Sequence, residues 1–300
     1  MPERDGYIAG VPCWVELLEP DPLAAADFYA GLFGWEYENL RAPGPDETYL
    51  VARCEAQSTS IFDTSHDVRR GDVAAIRSAS GAPAATWNTS FWVESADETA
   101  AKVRAAGGAV VTEPFEFLDM ARVATFADPE GAAFSVWEAR KHKGARLVND
   151  PGAVVFNGLN TRDVEGARSF YGSVFGWRTL AIGGGGEGWA LPGYGDHLER
   201  YHPDIRARMA EAGAPDGFED VVGSINPIAD DQPGTPAHWS VTFAVDDADA
   251  AAAKATELGG MVIVPPFDAP WSTATYTIRL AVIADPQGAT FGASKFAPTT

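Results

Sequence analysis

The sequence predicts an α+β protein of two tandem domains, each reading strand, helix, strands and then the same again. Three repeated blocks predict it. In the 300-residue chain, FYAGLFGW (Phe28 to Trp35) returns 142 residues later as FYGSVFGW (Phe170 to Trp177). TWNTSFWVESADETAAKVRAAGGAVVTEPFE, from Thr86, returns at a spacing of 152 as HWSVTFAVDDADAAAAKATELGGMVIVPPFD, from His238. RVATFADPEGAAFSVWE, from Arg122, returns at 157 as RLAVIADPQGATFGASK, from Arg279. The blocks keep their order and the spacing grows only between them, which marks a duplication whose loops have drifted.

The elements follow in order. CWVELLEP is a strand with Trp14, Glu16 and Leu18 on one face. Asp21 caps the next helix and Pro22 suits its first turn, where a missing N–H costs nothing. The helix ends in the aromatic phrase, whose Phe28, Leu32 and Trp35 supply core bulk. ETYLVARC and GDVAAIR are strands, with a loop insertion between them. NTSFWVE is a strand, and SADETAAKVRAAGG a helix with Ser95 as cap, Glu98 completing a capping box and Gly107 at the end. AVVTEPFE, RVATFAD and AAFSVWE close the domain, with DPEG as a turn. The second copy repeats this from VVFNGLNT, with Asp163 as helix cap and VDDADAAAAKATELGG as its second helix. The domains are then 1–142 and 153–300, joined by a polar linker at 143–152 that ends in Asp-Pro-Gly. The second domain carries a lid-like insertion at 192–220, helical from Pro203 to Glu211 with Gly213 as its stop.

A net charge of −20 argues against nucleic acid and against an anionic membrane, both of which repel an acidic surface. Cys13 and Cys54 sit in no CxxC or Cys/His cluster, so a zinc finger and a disulfide framework are both excluded. Two reduced thiols and a polar start, MPERDGYIAG, point to the cytoplasm. GGGGEGW contains a formal GxGxxG at Gly183, Gly185 and Gly188. No helix start follows it, so it reads as a hairpin loop and not as a dinucleotide fingerprint.

The module, with FY…FGW after its first helix and DP(E/Q)G before its last strand, resembles the vicinal oxygen chelate superfamily. That group holds glyoxalases, bleomycin-resistance proteins and extradiol dioxygenases. VPCWVEL, GARLVNDPG and PGYGDHL resemble its actinobacterial tandem members. The resemblance covers nearly the whole chain. It implies βαβββ modules paired into a curled, cup-shaped mixed sheet with helices outside, and usually a divalent metal within the cup.

The resemblance places the metal ligands at Trp14, Asn88 and Ser135 in the first domain and at Phe156, Ser240 and Gly292 in the second. None is His, Glu, Asp or Cys, so the expectation is a cup without metal or other cofactor. A two-residue slip on the same strand face offers Glu16 in one domain and His238 in the other, which do not combine within one cup.

The cup walls are instead aromatic and weakly polar. The expected ligand contacts are Trp14, Glu16, Asn88 and Trp92 in the first domain. In the second they are Phe156, Asn160, Tyr194, Ser240, Trp271 and Arg279. Arg279 can neutralise an acidic ligand or pair with a carboxylate, as can its counterpart Arg122. Trp87 and Trp239 fall on the other face, as core. In the insertion, Asp196 adjoins His197, and with His238 this gives a candidate acid/base pair. The leading expectation is a metal-free binder of an aromatic or amphipathic metabolite. The alternative is a lyase, isomerase or dioxygenase acting in the second domain, through those histidines or an unconventionally held divalent metal. Its only expected partner is the small molecule, with the chain a monomer or homodimer.

Overall fold

A computed structural model describes residues 6–40, 48–57, 68–78, 85–270, 272 and 275–298. The first half runs β1 (Pro12–Glu19), α1 (Pro22–Phe33), β2 (Glu36–Asn39), β3 (Tyr49–Gln57), β4 (Val68–Ser78), β5 (Thr86–Trp92), α2 (Ala96–Ala105), β6 (Ala109–Phe117), β7 (Ala121–Ala127) and β8 (Ala133–Ala139). The second runs β9 (Val154–Thr161), α3 (Val164–Phe175), β10 (Arg178–Gly183), β11 (Gly186–Ala190), α4 (Tyr194–Leu198), α5 (Ile205–Glu211), β12 (Val221–Pro227), β13 (His238–Ala244), α6 (Ala248–Glu257), β14 (Met261–Asp268), β15 (Tyr276–Ala284) and β16 (Thr290–Pro298). Each half forms one open eight-stranded mixed sheet, in the order β2-β3-β4-β1-β5-β8-β7-β6 and its counterpart β10-β11-β12-β9-β13-β16-β15-β14. The fold is thus α+β, two tandem copies of a βαβββ pair.

The helix signals act as read. Asp21 accepts from the N–H groups of Leu23 and Ala24, Ser95 from Glu98 and Asp163 from Gly166. The glycine of FGW has a local reason. Gly34 (φ 70°) and Gly176 (φ 74°) end α1 and α3 in the left-handed conformation, which turns the following tryptophan inward. The glycine-rich run is a hairpin joining β10 to β11. The insertion holds a short helix that was not predicted, α4, ahead of α5. Its cap, Gly193, makes no side-chain hydrogen bond, so no capping signal was there to read.

The chain folds into two compact units, and each draws segments from both halves. Unit 1 comprises Met1–Trp14, Thr89–Gly144 and Phe156–Ser240. Unit 2 comprises Val15–Asn88, Ala145–Val155 and Val241–Thr300. The aromatic phrase explains the exchange. In unit 1, Tyr171 from the second half donates to Asp128 of the first half's DPEG turn at 3.0 Å, and Trp239 Nε1 donates to the Tyr171 hydroxyl at 2.9 Å. In unit 2, Tyr29 donates to Asp285 of the second half's DPQG turn at 3.1 Å, and Trp87 Nε1 donates to Tyr29 at 3.1 Å. Tyr29 and Tyr171 are both 0% exposed, so these polar links lie wholly within apolar cores, where an unmade bond would be costly. Trp35 and Trp177 finish the pattern by donating to Gly152 O at 2.8 Å and Gly10 O at 3.0 Å.

The stretch joining the halves is packed into unit 2. Leu147, Asp150 and Ala153 are buried, Arg69 binds Asp150, and Arg146 N donates to Asp72 O at 2.8 Å. The stretch that reads as a polar linker thus carries the buried apolar side chains of Leu147 and Ala153.

Candidate functional site

The first-strand face of unit 1 is closed in the first half. Trp14 is 2% exposed and meets the His142 ring edge-on at 4.6 Å and Trp137 at 6.2 Å. Trp137 Nε1 donates to His142 O at 3.1 Å, which locks the three together. Ser135 is buried and shares a hydrogen bond with Thr125 at 3.0 Å. Trp92 stands half-buried beside Tyr7, with ring centroids 6.1 Å apart. In unit 2, Glu16 is buried and accepts from the Tyr49 hydroxyl at 2.9 Å, while Asn88 is half-buried on β5.

The matching face of the second half is different. Along β9, Asn157, Leu159 and Thr161 point into the core and are buried, whereas Phe156 and Asn160 are half-buried on the other side. Parallel pairing sets Ser224 of β12 beside Gly158, and Asn226 beside Asn160. From β13, Ser240 donates to Gly158 O at 3.1 Å. Asn160 Nδ2 donates to Ser240 Oγ at 3.1 Å and reaches the carbonyls of His238 at 3.3 Å and Gly158 at 3.5 Å. Gly158 is the floor of this group. A Cβ there would stand 2.5 Å from Asn226 Nδ2, 2.6 Å from Ser224 Oγ and 3.2 Å from Ser240 Oγ. In the first-half copy that position is Glu16. Among the described residues, the second half thus has a polar cradle over a bare backbone where the first half has Glu16.

Asn160, Ser240 and His238 thus come together. Gly158, Ser224 and Asn226 join them, and residue type alone did not single those three out. The signal that could have found them is the Glu16/Gly158 mismatch between copies, read with strand parity. His238 Nδ1 lies 2.9 Å from Pro236 O. A carbonyl can only accept, so Nδ1 carries the proton and a neutral ring keeps its lone pair on Nε2.

The remaining candidates make other contacts. Tyr194 and His197 stack at 6.3 Å in α4, and His197 meets Tyr201 at 5.4 Å. Arg206 clasps the insertion by donating to Asp196 at 2.7 Å and Glu219 at 2.8 Å, and it also pairs with Glu199. Arg279 is engaged by Asp249 at 2.7 Å and Asp268 at 3.1 Å, as Arg122 is by Asp97. Trp271 lies outside the described residues.

Residues 152–292 match the model of the Glyoxalase/Bleomycin resistance protein/Dioxygenase superfamily, and residues 14–137 match a glyoxalase-like domain. The chain belongs to that superfamily. Its superfamily relatives include the protein named "Putative glyoxylase CFP32" of Mycobacterium bovis, 36% identical over 301 residues and covering 99% of both chains. The "Anthracycline biosynthesis protein DauV" of Streptomyces sp. (strain C5) is 34% identical, covering 95% of this chain and 93% of its own. Among solved structures, the Mn(II)-bound glyoxalase from Novosphingobium aromaticivorans matches with a TM-score of 0.57 at 17% identity, over 96% of this chain and 83% of that one. BphC, a halotolerant catechol dioxygenase, matches with a TM-score of 0.55 at 14% identity, over 98% and 89%. At such identities these structures show the fold.

The superfamily's metal does not fit the residues at its expected positions. Trp14 is packed among rings, and the hydroxyls of Ser135 and Ser240 are engaged with neighbouring side chains or backbone. Thr242 Oγ1 would lie 2.6 Å from any Cβ added at Gly292. Among the described residues, no group of three or more His, Cys, Asp and Glu side chains is placed to hold a metal ion. A hard or borderline cation needs carboxylate or imidazole donors, and neither occurs at these six positions.

Proposed function

We propose that this chain is a small-molecule-binding member of the superfamily, taking a neutral aromatic or amphipathic metabolite on the Gly158 face without the family's metal. The observation that carries this reading is the contrast between copies. Trp14, Trp137 and His142 close the first-half face, whereas Asn160, Ser224, Asn226 and Ser240 stay half-exposed around a glycine. Phe156 on the same strand adds an apolar wall, and a few polar groups beside a ring are the usual make-up of a small-molecule site. The name of DauV links that relative to anthracycline biosynthesis. No described helix is long and apolar enough to cross a membrane. Cys13 and Cys54 are free and buried, which suits a reducing cytoplasm.

Gly158→Leu is the test, with the flat diphenol daidzein as probe and calorimetry as readout. The side chain would displace Asn226 and Ser224, and affinity should fall by about tenfold or more, equivalent to ~1.4 kcal/mol or more. Unchanged binding in a folded variant would remove the proposal. A second reading, a lyase, isomerase or dioxygenase working in the second half, is favoured by His238, whose backbone carbonyl meets Asn160 in the cradle and whose ring Nδ1 lies 2.9 Å from Pro236 O. Consumption of the probe by the wild-type protein, in place of its retention, would select that reading.

A further inference from the structure

Within the cradle, the hydrogen bonds fix which atoms are left to meet a ligand. The Asn160 amide has one orientation only. The oxygens of Gly158 and His238 are carbonyls and accept, so the group facing them must be Nδ2. The Ser240 hydroxyl spends its proton on Gly158 O and a lone pair on Asn160 Nδ2. Asn160 Oδ1 is then the acceptor that the half-buried amide turns away from the backbone, and none of the hydrogen bonds described for Asn160 involves it. Its neighbour across the parallel register is the Asn226 side chain, whose Nδ2 lies over Gly158. No Lys or Arg occurs in β9, β12 or β13. A carboxylate or phosphate would thus meet an acceptor with no cation from these three strands to offset it, in a chain of net charge −20.

We infer that Asn160 is a specificity-determining residue that selects a neutral ligand carrying a hydroxyl or N–H donor, by accepting that proton at Oδ1. This rests on the proposed binding face and adds the chemistry of what the face selects. A phenol or an enol placed over Gly158 would donate to Oδ1, and its ring would lie toward Phe156. An ether at the same place brings only acceptors and leaves Oδ1 without a partner. A site built to hydrogen-bond a substrate hydroxyl rejects the analogue lacking it because its own polar atom is then buried unpaired.

The test compares daidzein with daidzein dimethyl ether on the wild-type chain and on Asn160→Ala, by calorimetry, at a pH where the phenols stay protonated. The wild type should bind the diphenol at least about tenfold more tightly than the ether. Asn160→Ala should bring the two within about threefold of each other, mainly by weakening the diphenol. Equal binding of both compounds by the wild type, with binding still abolished by Gly158→Leu, overturns the role of Asn160 and leaves the binding face standing. Failure of both compounds to bind the wild type overturns the face and the role together. A preference for the diphenol that persists in Asn160→Ala also overturns the role. Should that variant not fold, as its thermal transition would show, the wild-type comparison of diphenol and ether decides alone.

Discussion

Trp14→Ala is expected to destabilise the protein by about 3–5 kcal/mol, the range for deleting a fully buried indole. Trp14 is 2% exposed and packs on Trp137 and on His142, so the void left would be lined by rings that cannot collapse without leaving their own contacts. His142 follows β8 in what the sequence suggested was the approach to a linker, and its carbonyl is held by Trp137 Nε1. Chemical denaturation reads the loss directly. Daidzein binding to the folded variant should be unchanged, because the first-half face is already filled by protein. A loss below about 1 kcal/mol, together with weakened probe binding, would instead place Trp14 in the wall of a ligand site.

Glu19→Gln is expected to raise stability at neutral and alkaline pH. Glu19 is 0% exposed in unit 2. Burial, then a hydrogen bond and charge repulsion from Asp285, and lastly the charge of Asp21, push its carboxyl up to about 9. The folded pKa therefore lies above the unfolded one. Its stabilising contribution is complete below about 4.5, the ordinary value, and is lost as pH rises through about 9. Glutamine keeps a donor for Asp285 and does not titrate, so the variant should gain on the wild type across that window by a few kcal/mol, as an order of magnitude. The second copy already lacks this acid. Thr161 stands at the matching position and is hydrogen-bonded to Glu130. Thermal midpoints measured from mildly acidic to mildly alkaline pH give the answer, and parallel curves for the two proteins would refute the account.

Much of the fold was legible because it is local or repeated. Asp21, Ser95 and Asp163 announce their helices by chemistry that acts within three residues. Strand parity correctly put Trp87 and Trp239 in the core, 4% and 5% exposed. What could not be read was partnership. A duplication says that two segments are alike, and it does not say that Tyr171 seeks Asp128 of the other copy while Tyr29 seeks Asp285. The same limit applied at the candidate site. By residue type, Arg279 could be a ligand contact or an ion-pair partner until Asp249 and Asp268 were seen beside it. The Gly158 cradle needed the register of β9 against β12, which links residues 66 apart.

The interleaved units also set a timetable for synthesis. Unit 2 needs Val15–Asn88 and Val241–Thr300. As the chain leaves the ribosome, Phe28, Tyr29 and Trp35 emerge early, yet the strands that will receive Tyr29 are translated last. At ordinary elongation rates the wait from Tyr29 to Asp285 lasts roughly 13–50 s, long enough for an exposed aromatic face to recruit chaperones or to aggregate. Protease sensitivity of Val15–Asn88 in nascent chains arrested short of Val241 would read that delay directly.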